Sequence, residues 1–229
     1  MDKYKIIQDQ SELEKFINWL PTLEKNETYY VSLFARAKYD QSGLIKSDKA
    51  QLKRFTSDKQ RLLRKIKQLE LEIGCYDING IPIPESVLAL YIMPNPRSLW
   101  KAAAATTKRL VEIMAAGPEE MQSNPQSLAL NSIQQSCSRK IWMDFDFDGV
   151  ELQDLQTQIK SYDLQQCTHL IQTRGGFHAL VDPIRANMIT KNWYQLLKSI
   201  PGCDISGDSL IPVPGCIQGG FVPKAIYNL

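Results

Sequence analysis

The 229-residue sequence has no internal repeat, no CxxC pair, no apolar run near 18 residues and no marked excess of either charge sign. The missing apolar run, with a mean hydropathy of −0.29, excludes a membrane-spanning helix. The first stretch, MDKYKIIQDQSELEKF, is polar and acid-containing and has no h-region, so it is not expected to act as a secretory signal. Five cysteines (Cys75, Cys137, Cys167, Cys203 and Cys216) form an odd, scattered set, which argues for a reducing, cytoplasmic compartment and against a zinc ribbon. Twenty-seven Lys and Arg against 25 Asp and Glu give a net charge of +2. That excludes a histone-like polycation but leaves room for local basic patches.

What is present is a globular composition, 43% hydrophobic and 23% charged, in a chain long enough for one large domain or two small ones. Ser11 with Glu14 reads as a capping box for a short helix ending before Pro21. TYYVSLFAR at 28–36 and VLALYIMP at 87–94 read as strands. Leu52, Phe55, Leu62, Ile66, Leu69 and Ile73 recur at helical spacing, and nine Lys or Arg fall between 46 and 73 (46, 49, 53, 54, 59, 61, 64, 65 and 67). This predicts a basic helix, either a solvated face or a contact for a phosphate backbone. Residues 98–117 predict a helix stopped by Gly117. Residues 118–138, rich in Gln, Ser and Asn, are expected to be a linker or irregular segment between a domain at 1–117 and one at 139–229.

The second domain reads, in order, as a strand (139–147), a helix (151–162), two strands (168–173 and 176–181), a helix (187–200) and a last strand (209–214). This is β-α-β-β-α-β, the ferredoxin-like unit, with its first and third strands side by side. The expected class is therefore α+β, a ferredoxin- or RRM-like βαββαβ palm with an N-terminal α/β subdomain. On the first strand, Asp144, Asp146 and Asp148 alternate with Phe145 and Phe147, so the acids share one face and the aromatics the other. Three carboxylates on one face repel unless a cation compensates, and a hard divalent ion is the natural one. The same string opens an EF-hand loop, but the twelfth position is Leu155 and not Glu. It also resembles the opening of haloacid dehalogenase-like phosphatases, which would make Asp146 a nucleophile and Asp148 a general acid.

Thr173-Arg174-Gly175-Gly176-Phe177-His178 is the second signal. Paired glycines let backbone approach a ligand, and Thr, Arg and His are phosphate-binding chemistry. The third signal is Cys203 to Gly215, in which Asp204 or Asp208 brings a further carboxylate to the sheet or serves as a turn residue. Cys167, His169, Cys203 and Cys216 are weighed as a zinc set, without the tight pair spacing such sites have. Trp100, Trp142 and Trp193 read as core residues.

Together the three segments resemble the archaeo-eukaryotic primase superfamily of primases and primase-polymerases, over residues 139–224. The matching residues are Met143-Asp144-Phe145-Asp146, Thr173 to His178, and Cys203-Asp204 with Val213-Pro214-Gly215. Pro94-Asn95-Pro96-Arg97 adds a looser likeness. Where many members carry Arg before the Pro-Gly turn, this chain has Pro212. The resemblance implies a DNA primase or primase-polymerase nucleotidyltransferase in the replication of a mobile element, phage or plasmid. It implies two Mg²⁺ or Mn²⁺ ions on Asp144, Asp146 and one or both of Asp204 and Asp208. Thr173, Arg174, Gly176, His178 and Lys224 would bind the NTP or dNTP. The implied partners are a single-stranded DNA template and a replicative helicase or primer-initiation domain, in a nucleoid or replication-associated setting. A non-catalytic replication-initiation DNA-binding module and a haloacid dehalogenase-like phosphohydrolase are the alternatives.

Overall fold

A computed structural model describes residues 2–48, 50–122, 124–227 and 229. It is a mixed α+β structure of antiparallel sheets and seven α-helices among those residues. In chain order these are α1 (Gln10–Trp19), β1 (Glu27–Ala35), β2 (Ala50–Ser57), α2 (Lys59–Lys67), the short pair β3 (Asp77–Ile78) and β4 (Ile81–Pro82), β5 (Leu88–Ile92), β6 (Arg97–Ser98), α3 (Leu99–Ala116) and α4 (Pro125–Gln135). There follow β7 (Met143–Asp148), α5 (Leu152–Ser161), β8 (Thr168–Gln172), β9 (Gly176–Val181), α6 (Pro183–Ile189), α7 (Trp193–Lys198), β10 (Cys203–Gly207), β11 (Ile211–Pro212) and β12 (Lys224–Ile226). No helix among the described residues is long and apolar enough to cross a membrane.

The first sheet runs β11-β5-β1-β2, with β6 beside the start of β1; the second runs β10-β7-β9-β8-β12. Every pairing is antiparallel. Alternation builds the second sheet's core: Phe145 and Phe147 of β7 pack with Leu155 and Ile159 of α5 and Trp193 and Leu197 of α7. The first sheet buries Val31, Leu33, Leu90 and Ile92 against Phe16 of α1 and Leu62 and Ile66 of α2. That core also takes Ile171 and Leu180 from β8 and β9 and Val213, Cys216 and Ile217 from the C-terminal segment, so the two sheets share apolar contacts.

Several local expectations change. The cap of α1 is Asp9, whose carboxylate accepts from the Glu12 N–H at 3.0 Å, and not a Ser11–Glu14 box. Residues 46–73 are not one helix. Asp58 caps α2 by accepting from the Arg61 N–H at 2.8 Å, which separates it from strand β2. Leu52 and Phe55 on the strand and Leu62 and Ile66 on the helix all reach one core, and their spacing imitates a single helix. Residues 118–138 are not an unstructured linker: they contain α4, which begins at Pro125 under an Asn124 cap and packs on α3. The helix expected at 187–200 is two, α6 and α7. The fourth strand of the second sheet is β10, while Ile211 and Pro212, expected in that sheet, pair with Ile92 and Tyr91 of β5 in the first.

Arg139 ties the approach to β7 to the start of β1. Its Nε and Nη2 donate to the two carboxylate oxygens of Glu27 at 2.9 and 2.8 Å. This fork holds the Glu27 carboxyl down at about 2 against an ordinary 4.5. A lowered folded-state pKa contributes stability above the unfolded value and loses it as pH falls toward 2. With Arg139 partly exposed, the contribution at neutral pH is discounted to about 1–2 kcal/mol. Glu27→Gln is therefore expected to be less stable by about that amount in denaturant titrations at pH 7. The difference should close between pH 4.5 and 2.

Candidate active site

The acid face of β7 looks into a cleft of about 210 Å³ between the two sheets. Asp144, Asp146, Asp148, Thr173, Gly175 and His178 form one wall; Arg36, Lys38 and Tyr91 form the other, with Ser209, Leu210 and Gln218 closing it. Register explains the acid wall. β7 lies against β9 with Asp146 opposite His178, so the histidine stands among the carboxylates. Its Nδ1 is 3.0 and 3.1 Å from the two oxygens of Asp144, and its Nε2 is 3.6 Å from Asp146 Oδ1.

Charge follows from that geometry. Burial favours the neutral imidazole, but Asp144, and then Asp146 and Asp148, outweigh it, so His178 titrates above its ordinary value. Burial pushes the Asp146 carboxyl up, and the Asp144 and Asp148 charges push it further, against the pull of His178 and Lys38. The acid wall is thus short of positive charge, and His178 supplies part of it.

The basic wall carries residues that the sequence alone did not single out. Arg36 follows β1; its Nη1 donates to the Tyr91 hydroxyl at 2.9 Å and its guanidinium lies 5.3 Å from that ring. Asp48 accepts from Arg36 Nε at 3.4 Å and from the Lys38 N–H at 2.9 Å, fixing the turn that presents both cations. The available signal was slight: two basic residues two apart beyond a strand, more than 100 positions from the acids they face.

The other expected site residues divide. Thr173 lies in the cleft, where its hydroxyl accepts from the Gly176 N–H at 3.2 Å. Gly176 is there for strand contact: a Cβ at this position would collide with the Phe147 carbonyl oxygen. Gly176→Ala should force β9 off β7 beside Asp148, costing about 2–3 kcal/mol in chemical unfolding. Arg174 points elsewhere. Its guanidinium donates to the Gly219 carbonyl and lies 4.7 Å from the Tyr39 ring, in a neighbouring hollow.

Asp208 is held by Arg97 and Asn95, which donate to its Oδ1 at 2.7 and 2.9 Å. Asp204 is exposed on edge strand β10, and Lys224 on edge strand β12; neither lines the cleft. Cys167 and Cys216 lie in different cores, so the weighed zinc set is not assembled. His169 packs instead with Trp19 and Trp142. Trp193 is buried, but Trp100, expected in the core, is 77% exposed. Much of the positive charge at 46–73 is engaged locally. Lys59 donates to the Asn18 and Leu20 carbonyls, Lys65 to the Thr56 carbonyl and Arg54 to Asn131, and Arg61 pairs with Asp58. Lys49, also counted in that segment, lies outside the described residues.

Among the described residues, no group of three or more His, Cys, Asp or Glu side chains is arranged to hold a metal ion. The donors in the cleft are nevertheless hard carboxylate oxygens short of compensating charge. Mg²⁺ is commonly held by one or two carboxylates together with substrate phosphates and not by an all-protein cage. Asp144 and Asp146 fit that mode. Compared with protein-family models, with curated proteins and with solved structures, the chain finds no match.

Proposed function

We propose that the cleft is the centre of a template-directed nucleotidyltransferase of the primase-polymerase kind, with the second sheet as a ferredoxin- or RRM-like palm. One observation carries the reading: paired carboxylates on β7, bridged by His178, face Arg36 and Lys38 across a cleft of about 210 Å³. Phosphoryl transfer asks a protein mainly for positioning and for charge on both sides of the moving group. Two walls of opposite sign meet that demand.

Asp144 and Asp146 are the residues that would hold Mg²⁺ or Mn²⁺. Such ions, when bound, lower the pKa of the attacking 3′-hydroxyl and neutralise the departing pyrophosphate. His178 fixes Asp144 through Nδ1, and its Nε2, 3.6 Å from Asp146 Oδ1, would turn to a phosphate oxygen as a donor when substrate enters. Arg36, steadied by Tyr91, and Lys38 bring cationic donors to the triphosphate. The Thr173 hydroxyl adds a neutral one. The template would be a single DNA strand held through its phosphates, since a polymerase accepts any sequence. Asp148 is the third carboxylate that lines the cleft, whereas Asp204 lies outside it, and a helicase or primer-initiation domain remains a proposed partner.

The test is incorporation of labelled ATP and dATP on a single-stranded template with Mg²⁺ or Mn²⁺. Product from the wild type and none from the Asp144→Ala, Asp146→Ala double variant is the expected result. DNA binding without incorporation would transfer the reading to a replication-initiation binding module. A metal-fluoride phosphate mimic captured at Asp146 would make it a phosphohydrolase.

A further inference from the structure

The first sheet has two faces. Val31, Leu33, Leu90 and Ile92 turn to α1 and α2. The alternate residues turn the other way, among them Ser32 and Phe34 of β1, Gln51 and Arg54 of β2 and Tyr91 of β5. Register makes these five neighbours: Arg54, Ser32 and Tyr91 stand in one row, and Gln51 lies opposite Phe34. The contacts agree. Gln51 Nε2 donates to Ser32 Oγ at 2.6 Å, and the Phe34 and Tyr91 rings meet edge to face with centroids 5.7 Å apart. No side chain that β1, β2 or β5 sends to this face is an acid. The row begins in the cleft, which Tyr91 lines with Arg36 on its hydroxyl. Arg54 stands two strand spacings, about 10 Å, from Tyr91.

We propose that this face guides a single strand of nucleic acid into the cleft, with a base stacked on Phe34 and a phosphate on Arg54. The inference rests on the nucleotidyl-transfer reading only for its choice of partner. A single strand is held by cations along its backbone and by aromatic rings under its bases, and stacking of that kind accepts any base. Phe34 is the half-buried ring on this face, and Arg54 is partly exposed beside it. The Arg54 guanidinium donates to the Asn131 side chain and to the Ser127 carbonyl at 3.3 Å. Both are neutral acceptors, so its charge is left for a phosphate to compensate. The opposite wall of the cleft carries Asp144, Asp146 and Asp148, which turn a polyanion toward the first sheet. The basic helix α2 packs behind the same sheet, on the core face, away from the cleft.

Anisotropy of a labelled oligothymidylate, titrated with the protein without metal or nucleotide, tests the path apart from the chemistry. Phe34→Ala should weaken binding about tenfold or more, the loss of one stacked base. Phe34→Leu keeps apolar volume without a ring and should weaken binding similarly in a protein that melts near the wild type; Phe34→Trp should hold it. Arg54→Gln should weaken binding and lower the salt slope by about one, the signature of one phosphate contact. Arg64→Gln, exposed on α2, should change nothing. A chain that binds no oligonucleotide up to roughly 0.1 mM at low salt overturns the inference. So does binding indifferent to Phe34→Leu and Arg54→Gln, and if Arg64→Gln weakens it instead, the strand runs over α2. Binding that depends on Phe34 and Arg54, without incorporation of nucleotide, upholds the path and overturns only the transferase reading.

Discussion

Asp146→Asn should abolish nucleotide incorporation and, at the same time, make the metal-free protein more stable than the wild type at neutral pH. The two effects have one cause. The Asp146 carboxylate is largely withdrawn from water beside Asp144 and Asp148, and its pKa is pushed above the ordinary value. A carboxyl with a raised folded-state pKa binds its proton more tightly in the folded protein. Stability is therefore lost as pH rises from the unfolded pKa through the folded one, so the penalty grows toward neutral pH. Asparagine keeps the shape and removes the charge. In thermal melts the variant should match the wild type near pH 3 and exceed it at pH 7.

Activity should move the other way. A group that stabilises developing charge at a reacting centre is worth about 100- to 1000-fold in rate, so incorporation should fall by at least that much. Mg²⁺ with a nucleotide should raise the melting temperature of the wild type through linkage and leave the variant unmoved. A variant that is less stable at every pH would mean Asp146 serves the fold. A variant that still incorporates nucleotide would remove the β7 carboxylates from the chemistry.

The part of this site legible in the sequence is the part built by local alternation. Asp144, Asp146 and Asp148 against Phe145 and Phe147 is a period-two pattern, and the pattern alone separates the cleft face from the core face. The order of elements from 139 to 207 then brings β9 beside β7, so the topology alone sets His178 among the acids. The opposite wall was not legible. Arg36 and Lys38 reach the cleft because the C-terminal segment crosses from β10 to pair β11 with β5, and no local pattern encodes that crossing.

Periodicity also misled where two elements share one core. Leu52, Phe55, Leu62 and Ile66 keep helical spacing across a strand and a helix because both bury their apolar residues in the same place. Asp58 was the discriminating residue, a cap in the middle of the run. Trp100 reverses the usual expectation for tryptophan because α3 leaves the body of the protein and buries little of itself. Arg174 shows the limit of residue type as a guide. Its chemistry suits phosphate, but the Gln218-to-Gly220 turn captures its backbone N–H and its guanidinium first.

Asp208 makes the sharpest separation between a ligand and a structural anion. Arg97 is 1% exposed, and its three nitrogens, Nε, Nη1 and Nη2, donate to the Asn95 carbonyl at 3.0 Å, the Gln134 carbonyl at 3.0 Å and Asp208 at 2.7 Å. Only Asp208 offers it a negative charge. Asn95 completes the knot: it donates to Asp208 and to the Trp142 carbonyl, and accepts from the Ile141 and Trp142 N–H groups. The β5–β6 connection, the approach to β7 and the β10–β11 connection thus meet at one buried ion pair, at the seam of the two sheets. Removing one partner of such a pair leaves a buried charge uncompensated, a cost of about 3–5 kcal/mol. Asp208→Ala should lose about that much in urea unfolding, and Asp208→Asn less, because the amide oxygen still accepts from Arg97. Arg97→Met combined with Asp208→Leu should cost less than the sum of the single changes, since no charge is then stranded. Folded Asp208→Asn should incorporate nucleotide within about tenfold of the wild type, well short of the loss expected at Asp146. An Asp208→Asn variant as stable as the wild type and as inactive as Asp146→Asn would return Asp208 to the set of metal ligands and leave Arg97 to be explained by other means.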